Sequence, residues 1–587
     1  MNKALRDIEF GEQGNTAPES GGVLELLGPG GPDHIDTASA YYATSGQILR
    51  ALTRQLFAYP ATHDLSDAVK AFTPAADIAE TIPTTENGGI SADGRVVTIK
   101  LRERVRWDTT PSREVTAEDI IRGLKRLPNP VSSAGALHYF TSTIEGYADY
   151  AAAYEVAFEG RPATAAGLAD FQNSHEIAGL EALDDKTLRV TLVTPANDIL
   201  NILAMGFASP APVEYDAYLP DSPEMRANHV SNGPYRFANS PDDPEEIRLE
   251  RNPAWLQDSD PIRQQNLDGI RIRIKRETPE TLRGMIDRSE ADLAWSFTVV
   301  SWAKPEPERI EFPRSYPGFA LNPYLVFNMH SQNAGGAIGN LKVRQAIAYA
   351  VDKVAISDIL SVMQGVPNKP LHSAIPPGST GHRPFNPYPS EGDRGDREKA
   401  RELLSEAGYG EGIELIAAVR DVKLHLDVMG SVARDLEACG IRLRFEKYSQ
   451  ADYYGSFLST PDNARSSRWD IAEPGWTPDW FGNNGRSIVQ PMFQTNNKPG
   501  TTNYGGYSNP DVDRMIAEAL RESDLEKAEA LWHEIDIALM KDLPIVPILA
   551  FAAMTSRYHS PRVRNAVHVP QIEFFDITNL WLDRRMS

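Results

Sequence analysis

Histidine followed by glutamate comes closest to a metal-hydrolase signature in this chain, and it occurs at His175-Glu176 and His533-Glu534. A zinc protease of the HExxH type needs a second histidine one helical turn on, so that both imidazoles face one ion. Gly179 and Ile537 stand there instead. The 12 histidines are otherwise scattered singly, so spacing offers no metal cluster. Cys439 is the only cysteine, which excludes an intrachain disulfide and a cysteine zinc site; its place before Gly440 suits a small buried residue at a helix end. The run Pro241-Asp242-Asp243-Pro244-Glu245-Glu246 lacks the ligand spacing of a calcium loop and reads as a solvated turn. Gly28-Pro29-Gly30-Gly31-Pro32 follows a predicted strand but lacks the third glycine of a dinucleotide loop, so it reads as a tight turn. No GxSxG elbow and no GxxxxGK[ST] loop occurs. Many loops without a local catalytic signature lean toward binding.

Composition narrows the class. At roughly 100–200 residues per domain, 587 residues call for two to four lobes. Hydrophobic residues at 41% and charged residues at 24% describe a folded globular chain. A formal charge of −22 with no basic block argues against a nucleic-acid partner. The longest apolar stretch, Leu543 to Met554, is short for a bilayer span and carries Pro544 and Pro547. Residues 1–20 form a polar tail without an apolar signal core, so the chain is expected to be either cytoplasmic or a mature form whose signal sequence is absent.

Strands and helices alternate along the sequence. Val23 to Leu27 is a first short strand, and Arg95 to Arg102 follows the Asp93-Gly94 turn with Val97, Ile99 and Leu101 on one face. Leu188 to Val193, Ile270 to Lys275 and Ile441 to Glu446 repeat the alternation. Helical spacing runs through Lys342 to Lys353. Asp396 caps a helix bearing Ala400, Leu403 and Leu404, and Ser508-Asn509-Pro510 opens another with Val512, Ile516 and Ala519 inward. Leu525 to Lys541 is a last helix, ended by Pro544. The alternation predicts α/β or α+β architecture with at least two lobes.

A series of motifs then resembles, in order and spacing, the extracellular solute-binding proteins of ABC importers, in the peptide/nickel group that includes oligopeptide- and dipeptide-binding proteins. It begins with Gly21-Gly22-Val23-Leu24 and the turn Gly31-Pro32-Asp33-His34-Ile35-Asp36. It continues with Val97 to Trp107, Val115-Thr116-Ala117-Glu118-Asp119-Ile120, Val230-Ser231-Asn232-Gly233-Pro234-Tyr235 and Leu249-Glu250-Arg251-Asn252-Pro253. Phe327-Asn328 and the helix Val343 to Lys353 follow, then Trp469-Asp470-Ile471, Gly475-Trp476, Tyr507-Ser508-Asn509-Pro510 and Leu543-Pro544-Ile545-Val546-Pro547. The resemblance implies an α/β periplasmic-binding-protein-like fold of two hinged lobes with an extra subdomain on the first. By analogy lobe I joins 21–53, 190–294 and 550–587, the subdomain covers 54–189, and lobe II covers 295–549.

The same resemblance implies a function and a site. The chain would be the substrate-binding component of an ABC transporter, not an enzyme, holding oligopeptides or peptide-like solutes between lobes by backbone pairing and hinge closure. One pairing segment matches Ala40, Tyr41, Tyr42 and Ala43; the other lies in Glu473, Gly475, Trp476, Thr477 and Asp479. Asp479 matches the carboxylate that holds the ligand α-ammonium in peptide-binding relatives; a turn cap is the structural alternative. Trp476 either packs on a ligand or fills the lobe interior, and the two tyrosines either pair ligand or serve as core aromatics. Relatives can carry a basic residue at the position of Glu473. As an exposed glutamate it is expected to face solvent, the alternative being recognition of basic ligand groups. No cofactor or metal is implied. The expected partners are a peptide and a membrane permease, with a monomeric receptor placed outside the cytoplasm as a lipoprotein or periplasmic protein. Alternatives are a nickel chelate, a sugar, an opine or a ligand of a specialised-metabolite pathway, and, further off, a peptidase or acyl-transfer enzyme.

Overall fold

Leu24 and Leu26 point one way along the strand Val23–Gly28 and are fully buried, which makes it the natural centre of a sheet. The computed structural model describes residues 18–586 except 33, 42, 63–72, 133–135, 296–309, 312–319, 365–367, 450–451, 481–483, 499, 523, 552–556 and 573. The chain forms two compact units, Met1–Ser315 with Thr555–Ser587, and Tyr316–Met554.

In the first unit, Val23–Gly28 pairs in parallel with Gly269–Ile274 on one side and Leu293–Ala294 on the other. Antiparallel Glu246–Arg251 and Tyr235–Phe237 complete this five-stranded sheet. The expected strand over Arg95 to Arg102 is Val96–Lys100, which joins Thr187–Thr191 and Leu180–Asp184 in a separate three-stranded sheet. Thr116 caps the helix Ala117–Arg126 in a reciprocal box with Asp119, which explains the Thr-Ala-Glu-Asp run. Asp36 accepts both guanidinium nitrogens of the buried Arg126, at 2.9 and 2.5 Å. The Asn232-Gly233 pair closes on the end of the helix Ala43–Leu52: both amides donate to Leu52 C=O, and a Cβ on Gly233 would lie 2.6 Å from Ala51 C=O.

The segment after Asp36 is a turn and a helix start, with no strand among its described residues. Ser39 and Ala40 donate their amides back to Asp36 C=O, so the chain turns there, Tyr41 is irregular, and Ala43 opens the helix. That helix commits Ile48, Leu49 and Leu52 to the core, which fixes its start. Tyr42 lies outside the described residues.

The second unit has a five-stranded sheet ordered Ile441–Tyr448, Ile413–Arg420, Ile471–Ala472, Tyr324–Phe327, Ile545–Pro547. The first three strands are mutually parallel, with the helix Lys423–Glu437 crossing between the first pair. The helix expected over Lys342 to Lys353 is two helices, Leu341–Ala350 and Lys353–Gln364. Val351 is extended there, and the Asp352 carboxylate accepts the Ala355 amide at 2.8 Å, capping the second helix. Arg344 on the first helix is buried and donates to four carbonyls, Ile338, Gly339, Asp542 and Leu543, fastening it to the end of the helix Leu525–Asp542. Asp396 caps its helix as expected, Asn509 caps the helix that Pro510 opens, and Cys439 is buried. Among the described residues no helix is long and apolar enough to cross a membrane.

Candidate functional site

Open α/β sheets place ligands beyond the carboxyl ends of parallel strands, where loops and helix starts converge. In the second unit all three parallel strands deliver polar residues at that end. Arg420 is the last residue of Ile413–Arg420, and His425 lies in the first turns of the following helix. Tyr453 and Tyr454 begin a wide π-type turn, Tyr453–Leu458, shortly after Ile441–Tyr448. Glu473 directly follows Ile471–Ala472. Asp470 sets the register, accepting the Ile416 amide at 2.6 Å while also holding Ser331 and Asn333.

Glu473 does not face solvent, contrary to the sequence expectation; it is 1% exposed. Arg420 donates one Nη2 to the Glu473 carboxylate at 3.0 Å and to its carbonyl at 2.9 Å. His425 Nδ1 lies 3.2 Å from the same carboxylate. Burial alone would raise the Glu473 carboxyl pKa, but Arg420 and then His425 outweigh it and hold the group below the usual range. The guanidinium also lies 5.3 Å from the ring centre of Tyr453 and 5.5 Å from that of Tyr454. Burial pushes both phenols upward, so each keeps its proton at neutral pH.

The backbone from Glu473 to Thr477 is held from two sides. Tyr324 N–H donates to Pro474 C=O at 3.2 Å, and Trp476 exchanges both backbone bonds with Leu321. On the other edge Glu473 N–H donates to the Tyr453 hydroxyl at 2.9 Å, and Gly475 N–H to the Tyr454 hydroxyl at 3.2 Å. Gly475 C=O and both backbone groups of Thr477 have no hydrogen-bond partner among the described residues. A Cβ at 475 would lie 2.6 Å from the Asn322 side chain, so any larger residue there would displace Asn322. Trp476 is buried, and its indole N–H donates to Ser487 C=O at 2.9 Å. Asp479 is half-buried in the bend that follows.

The structure thus brings Glu473, Gly475, Trp476, Thr477 and Asp479 together in the second unit. Tyr41 and Ala43 belong to the first, where the Tyr41 ring is half-buried, 5.3 Å from that of Phe207. Arg420, His425, Tyr453 and Tyr454 escaped the sequence reading. Their signal is positional: each lies at or just beyond the carboxyl end of a parallel strand. Among the described residues no group of histidine, cysteine and acid side chains could hold a metal ion.

With this geometry in hand, known proteins supply the class. The profile of the bacterial extracellular solute-binding proteins, family 5, matches residues 74–500, and the chain belongs to that family. It is 25% identical to the periplasmic oligopeptide-binding protein of Salmonella typhimurium, over 84% of this chain and 82% of the relative. It is equally 25% identical to heme-binding protein A of Haemophilus influenzae, over 83% of this chain and 81% of the relative. The solved structure of clavulanic acid biosynthesis oligopeptide binding protein 2 superimposes with a TM-score of 0.77 at 22% identity, covering 97% of both chains. The fold is therefore the two-lobed α/β fold of this family.

Proposed function

We propose that this solute-binding protein takes peptides, holding the ligand backbone along Gly475 and Thr477 and its α-ammonium at Asp479. The observation that carries the reading is the unfilled edge formed by Gly475 C=O with the N–H and C=O of Thr477, in a segment otherwise fully paired. An extended peptide fits such an edge by strand addition, which draws affinity from the backbone and tolerates side chains. Asp479 lies two residues past the edge, where an ammonium entering a half-buried site needs an anionic acceptor. Likeness to oligopeptide-binding relatives supports the ligand class. Tyr41, Tyr42 and Ala43 remain ligand candidates on the family resemblance alone. Residues 54–189 are proposed as a subdomain on the strength of the separate sheet built from Val96–Lys100, Thr187–Thr191 and Leu180–Asp184. The receptor would work outside the cytoplasm as a monomer, deliver its ligand to a membrane permease, and return it unchanged.

Titration with short peptides tests this. Free-amino peptides should bind and amino-acetylated ones should bind at least tenfold more weakly. Asp479→Asn should cost about 2–5 kcal/mol of affinity with little change in apo melting temperature. Acetylation without effect on any binder removes the Asp479 assignment, and a drop in apo melting temperature with unchanged affinity makes it a turn cap.

A further inference from the structure

An extended chain turns the amide and carbonyl of alternate residues to opposite edges. Along Glu473 to Thr477 the even positions face the sheet, through Tyr324 to Pro474 and Leu321 to Trp476. The odd positions 473, 475 and 477 share the other edge, which is the one the peptide reading uses. This edge is closed where it begins. Both backbone groups of Glu473 are taken, by the Tyr453 hydroxyl and by Arg420, and the Gly475 amide is taken by the Tyr454 hydroxyl. It opens only at Gly475 C=O and continues through Thr477.

We infer that Tyr454, backed by Tyr453 and Arg420, is an end stop on the recognition edge, and that the ligands are peptides of at most about three residues. The inference rests on the peptide reading above. A peptide with its α-ammonium at Asp479 runs antiparallel to the segment. Its first residue lies opposite Thr477 and exchanges both bonds, and its second turns its backbone groups away. The third lies opposite Gly475 and can donate its amide to Gly475 C=O, but the Gly475 N–H it would accept from is already bonded. The Tyr454 hydroxyl holds that amide, so the carbonyl end of a third residue finds the Gly475 donor occupied and the chain of the ligand ends there. A fourth residue would advance about 3.4 Å along the edge, onto the Tyr454 ring and toward Glu473, where no backbone group is open. Arg420 does not attract a longer ligand's carboxylate, because Glu473 already matches its charge at 3.0 Å. Packing beside Arg420 and edge-to-face against Tyr453, whose ring centre is 5.1 Å away, holds the Tyr454 ring in place.

The test is titration calorimetry with unblocked dialanine, trialanine, tetraalanine and pentaalanine on the full chain, Tyr454→Ala and Tyr454→Phe. Hydrogen exchange of the peptide containing Gly475 runs in parallel. The natural protein should bind trialanine best and tetraalanine about tenfold more weakly or worse. Tyr454→Ala should shrink that step to threefold or less. Tyr454→Phe keeps the ring but not the acceptor, so exchange at Gly475 should accelerate; this arm decides the matter should Tyr454→Ala not fold. Longer peptides binding the natural protein as tightly as trialanine, or exchange unchanged in Tyr454→Phe, would overturn the end stop while leaving the peptide reading intact. No binding of any alanine peptide to any of the three proteins removes the peptide reading and the end stop with it.

Discussion

Replacing Arg420 by methionine isolates the central claim about this site, that Glu473 is a buried carboxylate kept ionised chiefly by the Arg420 guanidinium. The arginine is 5% exposed and the glutamate 1% exposed, with 3.0 Å between the charges, so water screens the pair little. Methionine preserves most of the volume but leaves the carboxylate beside His425 alone. Stranding one member of such a pair typically costs about 3–5 kcal/mol, and that is the loss expected in urea unfolding. Removing both charges in Arg420→Met with Glu473→Met should recover at least about 2 kcal/mol, since a buried ion pair is replaceable by apolar volume. The residual loss belongs to Glu473 C=O, which Arg420 also caps. The pH dependence gives a second sign. In the natural protein the depressed Glu473 pKa contributes stability above its unfolded value, near pH 4.3, that is lost as pH falls through the folded value. In Arg420→Met burial dominates and raises that pKa, so the variant should lose stability as pH rises above about 4.3. The stability difference between the two proteins must therefore widen from about pH 5 to about pH 7. Additive single and double variants, or a difference that does not change with pH, would refute the paired arrangement.

Asp536 offers another pH test. It is fully buried, accepts the Ala374 and Ile375 amides at 2.8 and 3.4 Å, and burial lifts its pKa to about 7. A raised acid keeps its proton in the folded state where the unfolded chain has lost it, so stability should fall by roughly 4 kcal/mol from about pH 4 to about pH 8. Asp536→Asn should flatten that slope in urea titrations at several pH values, and an unaltered slope would contradict the assignment. Gly123 sits in the helix Ala117–Arg126 with its absent Cβ only 2.1 Å from Ser209 C=O. Gly123→Ala should cost about 1–3 kcal/mol, read as a lowered melting temperature, and an unchanged one would mean the helix can shift freely there.

What the sequence disclosed and what it concealed follow from the range of the forces involved. Alternation exposed the strands Gly269–Ile274 and Ile441–Tyr448 because each keeps polar residues on one face. Ile413–Arg420 has no such alternation, since its last four residues are buried on both faces between parallel neighbours, and it escaped notice. The cap at Asp396 was legible because the side chain and the amide it accepts are within three residues. Glu473 failed on the same ground. An isolated glutamate is sensibly placed in water, and nothing near it in sequence says otherwise; the guanidinium that draws it inside lies 53 positions earlier. Only the parallel pairing of Ala417 with Ile471 and Ala418 with Ala472 brings the two strand ends together. The missed residues are thus linked by one cause. Arg420, Tyr453 and Tyr454 each sit at or just past a strand end, and their common target is the backbone of the strand end beside them. A motif search looks for side chains that act on a ligand, whereas these act first on the protein's own edge, and by filling part of it they define the part left open.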